Sequence, residues 1–134
     1  MPFVLDASVA ACWFFADETD PIATHALLMI EDDDAIVPAH WWFEVRNTML
    51  VAERRGRTTE RETNFAMARL ARMTIVHAPN PVDAAVFALA RRHQLTFYDA
   101  AYLELAQRER IPLATLDGQL AGAARREDVM LLAD

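Results

Sequence analysis

Apolar residues fall into two kinds of run along this chain, and the two kinds alternate. Short unbroken stretches occur at Phe3, Val4 and Leu5, at Ala35, Ile36 and Val37, and at residues 74–77, 112–115 and 129–132. Their length suits strands buried inside a sheet. Between them lie longer stretches of helical composition, at residues 7–15, 22–31, 41–55, 59–72, 82–93, 100–110 and 117–127. Local signals mark several of the ends. Pro38 stops the second strand, and Arg54 and Arg55 followed by Gly56 close the third helix with cations and a permissive residue. Thr59 with Glu62 three residues on is a capping box that starts the next helix. Pro79 and Pro81 punctuate the middle of the chain, and a short extended piece at residues 96–98 leads into Asp99. Strand and helix alternate throughout, which predicts an α/β fold: a mostly parallel, five-stranded sheet with helices on both faces and right-handed crossovers.

The 134 residues suffice for one sizeable core, and no repeat, low-complexity tract or flexible linker divides them, so a single domain over residues 1–134 is expected. Apolar residues make up 54% and charged residues 25%, a globular balance. Cys12 is the only cysteine, which excludes an internal disulfide, and no secretory leader pattern opens the chain. Charges interrupt every apolar run well short of the roughly 20 residues a bilayer requires. A reducing, cytoplasmic setting is the expectation. The net charge of −7 argues against a broad basic face for nucleic acid. Every basic side chain is nevertheless arginine, the better phosphate ligand, and a divalent cation in an acidic cluster would lower the local negative charge.

That acidic cluster is the main chemical signal. Asp6, Asp99 and Asp117 each follow a strand-like piece and precede a helix, the place where open α/β sheets build their sites. Aspartate is also a preferred N-cap, and capping alone accounts for any one of them. Three such carboxylates gathered at one sheet edge would repel each other unless a cation joined them. Glu44 has no capping explanation, because it lies inside the helix at residues 41–55. There Trp41, Val45, Thr48 and Ala52 form one stripe, with Glu44 and Asn47 on the adjoining flank. A surface glutamate is the plain alternative, but Trp42, Phe43, Leu50 and Val51 make the helix apolar almost all round, so Glu44 is expected to face protein or a pocket. An all-oxygen donor set suits Mg²⁺ or Mn²⁺, whereas His25, His40, His77 and His93 are too scattered for zinc.

Four segments occur in order: Val4-Leu5-Asp6-Ala7-Ser8, Glu44-Val45-Arg46-Asn47, Tyr98-Asp99-Ala100-Ala101-Tyr102 and Ala114-Thr115-Leu116-Asp117. In spacing, order and total length the chain resembles the PIN-domain ribonucleases, specifically the VapC-type toxins of toxin-antitoxin pairs. The resemblance implies a strand order of 3-2-1-4-5 and Mg²⁺- or Mn²⁺-dependent endoribonuclease activity. Asp6, Glu44, Asp99 and Asp117 fall on the family's acidic, metal-holding positions, and Ser8, Asn47 and Thr115 on its accompanying polar positions. Ser8 and Thr115 are expected to orient water or phosphate, and Asn47 to hold the carboxylates in place. The implied partners are an RNA substrate, a small cognate antitoxin and a second copy of the chain, with DNA reached only through the antitoxin.

Other features weigh less. Arg46, Arg54, Arg55 and Arg57 read either as an RNA-guiding patch or, by preference, as a solvated helix end. Trp13, Phe14, Phe15, Trp41, Trp42 and Phe43 exceed what one small core accommodates, which suggests an apolar surface for a partner. The acidic run at residues 31–34 reads as a solvated loop. Two other enzyme classes fit less well. A receiver-like phosphoacceptor domain needs a pocket lysine, and the chain has none; an Asp-x-Asp phosphohydrolase needs an aspartate where Ser8 stands. A catalytically inactive PIN-like interaction module would be marked by a lost carboxylate, and none is lost.

Overall fold

The computed structural model describes residues 1–133. Its sheet is wholly parallel. Strands β1 (Phe3–Leu5), β2 (Ala35–Val37), β3 (Ile75–His77) and β4 (Leu113–Ala114) lie in the order β3-β2-β1-β4. Helices α1 (Ala7–Trp13), α2 (Pro21–Met29), α3 (Trp41–Arg54), α4 (Glu60–Leu70), α5 (Asp83–His93), α6 (Phe97–Glu109) and α7 (Gly118–Arg126) complete the chain. Phe3, Val4 and Leu5 are each 0% exposed, so β1 is covered on both faces. That explains why the strand reads as an unbroken apolar run rather than an alternating one.

The expected fifth strand is reduced to a single parallel bridge, Leu131 to Leu113. The cause lies on both sides of the pair. Asp128 turns left-handed (φ 58°) and Val129 N–H still bonds back to Ala124 at 2.8 Å, so the tail becomes free to pair only after it. On the other side, β4 is two residues long, and Leu113 alone exchanges bonds with Met130 and Leu132 (both 2.9 Å). The tail still takes the outer position beside β4, next to the order expected of a fifth strand.

The extended piece expected at residues 96–98 is also different. Only Thr96 is extended; its hydroxyl accepts the Asp99 N–H at 3.1 Å, and α6 starts at Phe97. Residues 100–106 of α6 are all buried, which makes it the central helix of its layer. In α3 the buried stripe is Trp41, Val45, Met49 and Ala52, with Met49 in the place expected of Thr48. Burial all round does not occur there, because Trp42, Phe43 and Leu50 are exposed. Among the described residues no helix is long and apolar enough to cross a membrane.

Candidate active site

An open cleft of about 730 Å³ lies at the carboxyl ends of β1 and β4. Asp6, Ser8, Glu44, Asp99 and Asp117 all line it, brought together from four separate parts of the chain. The four carboxylates reach it by different local means. Asp6 ends β1 and occupies the N-cap position of α1, yet its side chain makes no capping bond. Its Oδ2 instead accepts from the hydroxyls of Ser8 and Thr115, each at 2.7 Å. Those hydroxyls are themselves held by backbone: Leu116 N–H donates to Ser8 Oγ at 3.1 Å, and Asp117 N–H to Thr115 Oγ1 at 3.0 Å. The buried Asp6 is thus tied to the strand end 109 residues away that carries Asp117.

Asp117 does cap α7, its carboxylate accepting the Leu120 N–H at 3.0 Å. Asp99 was expected at a strand end but sits in the first turn of α6, because Thr96 takes the capping role. Glu44, half-buried in α3, accepts the Tyr102 hydroxyl at 2.7 Å. His40 lies between Tyr98 and Tyr102, with ring centroids 5.3 and 5.0 Å away. Its Nε2 is 3.2 Å from Glu44 but off the hydrogen-bond direction, so it has no partner. Asn47 is not in the cleft. It is exposed and lines a neighbouring apolar cavity with Phe43, Leu50 and Tyr98, while Thr48 faces the acidic side.

Burial and mutual repulsion both act on this group. Burial pushes the Asp6 carboxyl above the usual carboxylate range against the pull of its hydroxyl donors, and the charge on Asp117 adds to the rise. Asp99 is raised by burial, then by Asp6 and Asp117. Glu44 is raised by burial, against its bond from Tyr102, with Asp6 and Asp99 contributing. Burial and the same carboxylates raise Tyr102, which keeps its proton available to Glu44. Burial lowers His40 below the usual imidazole range, against a backbone hydrogen bond with Tyr98.

The donor set fits a hard divalent cation. It is all oxygen, Asp6 in it is buried, and its charges oppose one another, with no arginine paired to any of the four carboxylates among the described residues. Among the described residues no three acidic, histidine or cysteine side chains come close enough to form a ready-made cage. Mg²⁺ does not require one, since it binds through one or two carboxylates and keeps several waters.

Residues 3–126 match the PIN domain family. Ribonuclease VapC3 of Pyrobaculum aerophilum is 34% identical over 124 residues, covering 90% of this chain and 93% of its own. This chain belongs to the PIN-domain family and is of the VapC type. Solved structures share the fold of this PIN domain at lower identity. PAE2754 from Pyrobaculum aerophilum superposes with a TM-score of 0.70 at 20% identity, covering 92% of this chain and 87% of that one. FitAcB from Neisseria gonorrhoeae gives 0.67 at 19%, covering 98% and 96%. VapC20 of Mycobacterium tuberculosis, a Sarcin-Ricin loop cleaving toxin, gives 0.63 at 14%, covering 90% and 94%.

Sequence reasoning missed three side chains in or beside this PIN domain's cleft. Tyr102 and His40 hold the surroundings of Glu44, and the i, i+4 spacing of His40 and Glu44 was the available signal. Arg57, assigned above to a solvated helix end, lines the same cleft as the carboxylates. The cluster of arginines there allowed an RNA-guiding reading, but the place of Arg57 beside the carboxylates depends on how the chain turns after α3.

Proposed function

We propose that this protein is a metal-dependent endoribonuclease acting as the toxin of a toxin-antitoxin pair in the cytoplasm. The observation that carries this reading is the convergence of Asp6, Glu44, Asp99 and Asp117 on one cleft, three of them raised by burial and by one another. Those four carboxylates would hold Mg²⁺ or Mn²⁺, directly or through water. The bound cation would supply neutralising charge for an incoming phosphodiester and a more acidic water than bulk solvent. Thr115 and Ser8 fix Asp6 in one orientation, and Tyr102 does the same for Glu44, so the carboxylates need not reorganise when a phosphate arrives. Asn47, outside the cleft, is left with a role toward the substrate or partner rather than toward the carboxylates. Hydrolysis of RNA would leave 5′-phosphate and 3′-hydroxyl ends.

The proposed partners are a small antitoxin, through which alone DNA is reached, and a second copy of the chain. Exposed Trp42, Phe43 and Leu50 on α3 with Phe97 and Tyr98 on α6 offer an apolar face for that copy. The test is cleavage of total RNA by purified protein with and without Mg²⁺ or Mn²⁺. Activity is expected only with the metal. Asp6→Asn, Glu44→Gln, Asp99→Asn and Asp117→Asn should each lose at least about 100-fold, and Ser8→Ala or Thr115→Ala about 10–100-fold. Undiminished cleavage in excess chelator would remove the metal, and no cleavage under any condition would favour an inactive interaction module.

A further inference from the structure

We infer that Arg57 binds a backbone phosphate of the RNA strand beside the one that is cut. This rests on the ribonuclease reading of the cleft. Asp6, Glu44, Asp99 and Asp117 occupy one part of the cleft wall, and Asp17, Glu18 and Asp20 line it as well. Arg57 is the one basic side chain lining the cleft among the described residues. A polyanion entering a wall of carboxylates needs a cation, and the fold supplies this one in a fixed place.

Three features fix it. After α3, Gly56 adopts a left-handed turn (φ 72°); Gly56 N–H bonds Glu53 at 3.0 Å and Arg57 N–H bonds Ala52 at 2.9 Å. This pair of bonds is a Schellman ending, and it folds the chain back toward α1. The guanidinium then lies over the Phe15 ring, 4.3 Å from its centroid. Phe15 is itself buried with Met49, Ala52 and Ala66, so the ring is a rigid platform.

The third feature is how the guanidinium is paired. Its contacts to Asp17 (3.2 and 3.5 Å) and Glu18 (3.3 Å) all fall on Nη2, and among the described residues none falls on Nη1 or Nε. Nε and Nη1 keep donors for single contacts to phosphate oxygens, and a two-oxygen contact becomes available when a phosphate takes the place of one carboxylate on Nη2, the nitrogen common to both edges of the fork. The carboxylates that hold it are solvent-exposed, with side-chain exposures of 76% and 43%. Exposed ion pairs contribute little, so exchanging one of them for a phosphate costs little.

The experiment measures binding of a short single-stranded RNA to the Asp99→Asn protein, which leaves the RNA uncut, across a salt titration. Removing one phosphate contact should flatten the slope of log affinity against log salt by about 0.7. Arg57→Ala and Arg57→Gln are expected to show that loss, and Arg57→Lys to keep most of the slope. The Gln variant retains an aliphatic stem over Phe15 and stands in should the Ala variant fold poorly. In the active protein, Arg57→Gln should raise KM for short RNA with kcat unchanged, as loss of uniform binding requires. Equal slopes for Arg57 and Arg57→Gln, with only a lower melting temperature, would overturn the assignment and leave a structural clamp. Absence of RNA cleavage by the unmodified protein would instead overturn the ribonuclease reading beneath it.

Discussion

Three aspartates that look alike in the sequence behave differently at the level of single residues. Asp117 caps its helix, Asp6 occupies a cap position without capping, and Asp99 sits inside a first turn that Thr96 caps. Their substitutions should differ accordingly. Asp117→Ala loses a capping bond worth about 1 kcal/mol, which Asp117→Asn retains. Asp99→Asn loses no cap and relieves repulsion, so in metal-free buffer at neutral pH it should melt at or above the parent temperature. Its sign with pH follows from the raised carboxyl. A folded-state value above the unfolded one contributes stability that is complete below the ordinary carboxylate range and is lost as pH rises through the raised value. The advantage of Asp99→Asn should therefore grow from acid to neutral pH, and metal-free thermal melts of both proteins across that range would measure it. An advantage that is constant or shrinks toward neutral pH would contradict the repulsion. The four acidic positions were legible in the sequence because each stands in a short motif. The hydroxyl tie from Thr115 to Asp6 was not, since it joins atoms 109 residues apart in the chain.

Among the elements, helix ends were the readable features and strand pairing the unreadable one. Thr59 caps α4 through the Glu62 N–H at 3.2 Å, as its spacing with Glu62 suggests. Gly56 closes α3 in the left-handed turn that glycine favours. The same backbone region at the ends of α5 and α6 is occupied by Gln94 and Arg110, which carry no comparable signal. A Cβ at Gly56 would meet nothing within 4 Å, so Gly56→Ala tests conformation alone. It should cost about 1 kcal/mol, measured by denaturant unfolding. A neutral result would show that the turn relaxes at no cost, as it would if Arg57 were not held in place by it. The fifth strand illustrates the opposite case. Residues 129–132 have strand-like composition, but pairing was limited by a two-residue β4 and a helix end that reaches Val129, and neither constraint is visible in local sequence.

For the molecule as a whole, the density of aromatic residues was legible and its distribution was not. Phe15 and Trp41 enter the core, Trp13 and Phe14 are half-buried, and Phe43 is 69% exposed. Helical period alone could not place Trp42 and Phe43 outward, because both flanks of α3 are apolar. If that face joins two copies, Phe43→Glu should shift sedimentation toward monomer while the isolated fold keeps its melting temperature; an unchanged dimer would move the interface elsewhere. The bond between Asp6 and Thr115 has a further consequence, in time rather than in space. Chains are made from the N-terminus and domains settle as units during synthesis. A ribosome that has released the first hundred residues has supplied Asp6, Glu44 and Asp99, but neither the strand that flanks β1 on its second side nor the hydroxyl that orients Asp6. The cleft is therefore incomplete until residues 113–117 have left the exit tunnel, and any chemistry that needs all four carboxylates with Asp6 held in place waits for that moment.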